Sequence, residues 1–124
     1  ESVGRAATAR TAVRTAYGRW PTRPLVAMAW ANRRYADGRY REAERVLRRL
    51  LEHAPTRADA WNNLAFALAR QGCGDPARAA VRCALRLQPG RQAFEQSLRE
   101  LRDAPAHPTR CQPVHCPATP PAPR

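Results

Sequence analysis

Positions 34 residues apart repeat one another along this chain. Glycine stands at 4, 38 and 72, alanine at 9, 43 and 77, a branched aliphatic at 13, 47 and 81, and proline at 21, 55 and 89. Four columns in one register mean that a single supersecondary unit is copied and stacked. Each copy cannot bury its apolar face alone, so the fold is an array of units sharing one continuous core.

Within each copy the apolar spacing is helical. Ala43, Leu47, Leu50 and Leu51, and again Ala77, Val81, Ala84 and Leu85, recur at three and four residues and fall on one helical face. Asp37-Gly38 and Gln71-Gly72 stop the first helix of each pair, and Pro55 and Pro89 close the second. Asp75-Pro76 reads as an N-cap with proline at the first helical position. Alanine at 43 and 77 lets paired helices approach closely, so Ala77→Leu is expected to overpack that contact.

This pattern resembles the tetratricopeptide repeat, whose consensus places Trp, Leu, a small residue and an aromatic on a first helix, then Ala and Pro on a second. The best copy carries Trp61, Leu64, Ala65, Gly72, Ala77 and Pro89, and the one before it keeps Gly38, Ala43 and Pro55 but has Ala27 in the Trp position. The resemblance implies an all-α solenoid of about two and a half repeats: a half repeat over 1–23, repeats over 24–57 and 58–91, and a capping helix over 92–103 that presents Phe94, Leu98 and Leu101 on one side. Residues 104–124 hold seven of the twelve prolines without periodicity and read as a disordered or polyproline tail. The missing first helix of the opening half repeat points to a segment of a larger protein.

In such arrays the first helices line a concave face. Repeat register assigns to it Met28, Asn32, Tyr35 and Ala36, then Asn62, Phe66, Ala69 and Arg70, with Gln96 from the capping helix. Amides, aromatics and one guanidinium suit a protein or peptide partner. The same face resembles the carboxylate clamp of chaperone-cofactor repeats at Asn32 and Asn63, but Met28, Ala93 and Ser97 stand where that clamp needs basic groups.

Composition enters through charge. All 22 basic residues are arginine and the net charge is +12. Arg14, Arg48 and Arg82 share the 34-residue register on the second helices, which predicts a basic stripe along the convex back. The alternative function is therefore a scaffold for nucleic acid or another polyanion. Nucleic acid is the less favoured partner, because no aromatic side chains interleave with the stripe to stack on bases, and glutamates 42, 44 and 52 balance it.

Four cysteines remain. Cys73 is assigned to a turn and Cys83 to the outer side of a helix, while Cys111 and Cys116 flank Gln-Pro-Val-His in the tail. An even count fits disulfides in an oxidising compartment, with Cys111–Cys116 the suggested pair, or else free thiols in a reducing one. The spacing of His107, Cys111, His115 and Cys116 matches no standard zinc site, so no metal or other cofactor is assigned. Neither a rigidly placed Cys–His pair nor a glycine-rich phosphate loop is present, which argues against catalysis by this segment. It has no run of apolar residues long enough for a membrane span.

The string Trp61-Asn62-Asn63-Leu64-Ala65, then Gln71-Gly72-Cys73, Pro89-Gly90 and a short last helix, resembles more narrowly the C-terminal repeat region of bacterial C39-like, papain-like cysteine peptidases. That resemblance implies an accessory, non-catalytic module with the catalytic domain upstream, placed in the bacterial envelope or periplasm; otherwise a cytoplasmic protein is expected. Self-association through the open half repeat, at Val13 and Tyr17, is a further expectation.

Overall fold

A computed structural model describes residues 2–107 and 110–118. Among the described residues there are six helices: α1 (Ser2–Arg19), α2 (Pro24–Ala36), α3 (Tyr40–His53), α4 (Ala58–Ala69), α5 (Gly74–Leu87) and α6 (Gln92–Glu100). The starts of α2, α4 and α6 fall at 24, 58 and 92, and those of α3 and α5 at 40 and 74, so the 34-residue register is a register of helices. Each helix packs on the next in chain order, while α1, α3 and α5 do not pack closely on one another. The result is an all-α solenoid, and among the described residues no helix is long and apolar enough to cross a membrane.

The turn glycines do what their positions require. Gly38 and Gly72 have φ of 76° and 78°, in the left-handed region that glycine enters without penalty. One residue further on, Arg39 and Cys73 donate backbone N–H groups five residues back, to the carbonyls of Arg34 and Leu68, which closes both helices in the same way. The start of α5 differs from expectation. The helix begins at Gly74, and Asp75 does not cap it; its carboxylate instead accepts from Arg78 at 2.7 Å.

The core is one continuous strip. Leu47, Leu50, Leu64, Leu68 and Val81 are fully buried, and Ala43 and Ala77 sit at the close helix approaches with at most 1% exposure. Trp61 is buried with its indole N–H donated to the Pro55 carbonyl at 2.8 Å, tying the first helix of one repeat to the proline that ends the previous one. Phe94 and Leu101 cover the end of the strip from α6 and the turn after it. At the opposite end Tyr17 is half-buried and stacks on Trp30 at 6.0 Å between ring centroids.

The tail corrects two expectations. Its described part has no helix and, beyond the turn at Arg110, no regular structure, but it is not free. Cys73 is bonded to Cys111 and Cys83 to Cys116, with Cα–Cα distances of 5.7 and 5.5 Å. Cys111 and Cys116 therefore do not pair with each other. Five residues of extended chain separate their Cα atoms by roughly 16 Å, whereas a disulfide needs its Cα atoms within about 7 Å. Ten residues of α5 span roughly 15 Å, so the tail runs alongside the helix and meets it at both cysteines. Cys83, expected on the outer side of its helix, is 1% exposed because the tail covers it.

Polar contacts complete the docking. Backbone pairing joins Gly74 N–H to the Pro105 carbonyl at 2.8 Å and His107 N–H to the Gly72 carbonyl at 3.0 Å. Arg48 on α3 donates to the carbonyls of Gln112 and Pro113 at 2.9 and 3.0 Å, so the tail lies along the groove between α3 and α5. Arg78 gathers the carbonyls of Leu101, Arg102 and Ala104, fixing the chain as it leaves α6.

Candidate functional site

Between α2 and α4 lies a cleft of about 170 Å³. Ala31, Ala43, Leu47 and Ala67 form its apolar floor, and Asn32, Tyr35, Asn63 and Phe66 form its rim. The floor is apolar because the helices that meet there, α2, α3 and α4, approach through small side chains. The rim is polar because α2 and α4 each turn one amide toward the other. Asn63 donates its amide N–H to Asn32 Oδ1 at 3.0 Å. Among the described residues this leaves Asn63 Oδ1 and the Asn32 amide N–H unbonded, one acceptor beside one donor.

A second set of contacts closes one end. Arg70 donates to the Tyr35 hydroxyl at 3.2 Å and lies over the Tyr40 ring at 5.2 Å, while Tyr35 and Tyr40 meet edge to face at 5.0 Å. The Tyr35 hydrogen bond, followed by the electrostatic influence of Tyr35 and Tyr40, raises the Arg70 pKa above its ordinary value. The guanidinium remains a fixed positive charge at the cleft's end.

The residues assigned from repeat register divide accordingly. Asn32, Tyr35 and Phe66 line the cleft, and Arg70 flanks it. Met28 is half-buried against the core. Asn62 is half-buried with its Oδ1 shielded and without a partner among the described residues, and it is the next residue, Asn63, that reaches the cleft. Gln96 is engaged on its own helix, accepting from Arg99 and donating to Glu100. A one-residue step rotates a helical side chain by about 100°, so the register that assigned Asn62 to this face was off by the one residue that brings Asn63 to the cleft.

The arginine stripe is not continuous either. Arg48 is occupied by Glu44 and the tail carbonyls, and Arg78 by three carbonyls and Asp75. Arg14 and Arg82 remain exposed and form no ion pair among the described residues. No cluster of three or more metal-ligating side chains occurs among the described residues.

Comparison with known proteins matches the family model of the tetratricopeptide repeat to residues 34–101. No curated protein matches the chain. Repeats of this family generally mediate protein–protein interaction, and typically as scaffolds without catalysis of their own. With helices recurring at 34 residues, glycine-closed turns and a match across more than half its length, the chain belongs to the tetratricopeptide repeat family.

Proposed function

We propose that this chain is a non-catalytic module that binds an extended segment of a protein partner in the cleft between α2 and α4. The observation that carries the reading is the Asn32–Asn63 rung. Its free acceptor and free donor match the N–H and C=O of a peptide backbone, and the apolar floor beneath takes a side chain. Asn32, Tyr35, Asn63 and Phe66 are the binding residues in this reading, with Arg70 adding a positive end and Met28 and Asn62 supporting from behind.

The two disulfides favour an oxidising compartment, in keeping with a bacterial envelope or periplasmic setting. A role as accessory part of a larger protein, such as a C39-like cysteine peptidase, rests on the Trp61-Asn62-Asn63-Leu64-Ala65 string with Gln71-Gly72-Cys73, Pro89-Gly90 and the short last helix. A catalytic cysteine and histidine encoded upstream would support that parentage, and any other upstream domain would end it.

Selection of a displayed random-peptide library on the oxidised chain tests the cleft. Selected peptides are expected to lose binding to Asn63→Ala/Phe66→Ala and to keep it for Arg82→Glu. The reverse pattern would replace this reading with polyanion binding on the arginine-bearing face.

A further inference from the structure

The groove between α3 and α5 is filled by the chain's own tail, and the repeat register defines an equivalent groove one unit earlier, between α1 and α3. That earlier groove is open, with a volume of about 620 Å³. Arg14 on α1 and Arg45, Val46 and Arg49 on α3 line it, together with Arg39 just before α3 and with Tyr17, which stacks on Trp30. Subtracting 34 from the three residues that hold positions 111–116 of the tail gives their counterparts here, whereas Gly74 and Arg78, which receive residues 101–105, correspond to Tyr40 and Glu44, so the likeness is confined to the 111–116 stretch. Arg48, which grips the Gln112 and Pro113 carbonyls, corresponds to Arg14. Cys73 and Cys83, which hold the tail covalently, correspond to Arg39 and Arg49.

We propose that the α1/α3 groove docks a short extended acidic segment of a partner protein in the manner in which the α3/α5 groove docks residues 111–116 of the tail. In this arrangement Arg14 takes backbone carbonyls, as Arg48 does. Arg39 and Arg49 take carboxylate side chains where the filled groove has sulfur–sulfur bonds. A guanidinium fork suits both acceptors. Arg14, Arg39, Arg45 and Arg49 form no ion pair among the described residues, so four charges are available. Arg10 and Arg34, also on this groove, are held by Asp37 and Glu42.

The occupant is a polypeptide rather than a nucleic-acid strand for two reasons on the molecule itself. Trp30 and Tyr17 stack on each other, and the Arg34 guanidinium lies over the Trp30 ring at 4.3 Å, so these faces are engaged within the protein instead of offered to bases. The basic track also ends at the docked tail, where Arg48 and Arg78 are occupied, which leaves a bounded groove with no continuous path for a phosphate backbone.

The probe is a fluorescein-labelled peptide of residues 111–117 carrying Cys111→Glu and Cys116→Glu, which keeps the tail's backbone and places carboxylates opposite Arg39 and Arg49. Its binding to the oxidised full chain is read by fluorescence anisotropy. Arg39→Glu/Arg49→Glu is expected to weaken binding on the order of tenfold or more, and Arg14→Gln to weaken it less. A peptide with Cys111→Lys and Cys116→Lys should bind the charge-reversed chain and not the wild type. Arg82→Glu/Arg86→Glu, an equal change of charge on α5, should leave the acidic peptide bound.

Absence of binding, equal loss in the Arg82/Arg86 variant, or failure of the lysine peptide on the reversed chain would overturn the proposal. So would displacement by tripolyphosphate at a lower concentration than the unlabelled peptide requires, which would make the groove a phosphate site. Loss in Asn63→Ala/Phe66→Ala would place the peptide in the α2/α4 cleft, ending this proposal while leaving the proposed function standing.

Discussion

Gly74 lies directly beneath the carbonyls of Ala104 and Pro105, at a position where the preceding repeat carries Tyr40. The Gly74 N–H donates to the Pro105 carbonyl, and a Cβ built on this residue would overlap both oxygens. The exchange of a tyrosine for no side chain at all is what lets the tail reach the helix.

Gly74→Ala therefore sets two effects against each other. Alanine in a helix is favoured over glycine by up to about 1 kcal/mol. Overlap with two backbone oxygens costs about 1–3 kcal/mol, because neither can rotate away. The clash wins, and thermal unfolding of the oxidised protein should show a lowered Tm. A raised Tm would mean that the tail does not lie on α5. Gly38→Ala, whose added methyl meets nothing within 4 Å, should cost only the left-handed backbone strain of about 1–2 kcal/mol.

The disulfide assignment is open to peptide mapping under non-reducing conditions. Cys73–Cys111 and Cys83–Cys116 should appear as the linked pairs, with neither Cys111–Cys116 nor Cys73–Cys83. Each bond closes a loop of more than thirty residues, 38 and 33 in separation, and the chain-entropy model gives about 4 kcal/mol for either alone. Their loops overlap, so the pair contributes less than twice that. Reduction should lower the Tm by well over ten degrees and make the Arg110–Cys111 bond sensitive to trypsin; an unchanged Tm would contradict the packing of the tail.

Ala77→Leu should destabilise by about 1–3 kcal/mol through overpacking of a position with no exposure, and Ala43→Leu by a similar amount. Urea denaturation with an unaltered slope and a lower midpoint is the expected result. An unshifted midpoint in both variants would contradict the close helix approach.

Trp61→Phe separates a hydrogen bond from burial. The ring still fills the core, but the Pro55 carbonyl loses its donor, a net loss of about 0.5–1.5 kcal/mol. Trp61→Ala adds a cavity and should cost about 3–5 kcal/mol. Equal losses in the two variants would show that the indole N–H, not its bulk, dominates.

The repeated columns at Gly38/Gly72, Ala43/Ala77 and Pro55/Pro89 were sufficient to read the helices, because turn chemistry and apolar spacing are local properties. Long-range pairing was not. Nothing local distinguishes Cys111–Cys116 from the pairs that form, although the sequence did hold a clue: ten residues of helix and five of extended chain cover nearly the same length. A second clue was that Cys73, Gly74 and Cys83 replace Arg39, Tyr40 and Arg49, so the second repeat departs from the first where the tail touches it. Asn62 and Asn63 differ only by rotation on α4, which is fixed by the packing of that helix against α3 and α5 rather than by either residue's chemistry.

The cystines also decide how this molecule carries mechanical load. In a simple solenoid a pull on the C-terminal side peels the last helix away first, since it touches a single neighbour. Here α6 lies inside both covalent loops, between Cys83 and Cys116 and between Cys73 and Cys111. Tension applied beyond Cys116 passes through sulfur into α5 near its C-terminal end and leaves α6 slack. The terminal helix is thereby removed from the force path, and the first element to feel a tug is one already packed within the array.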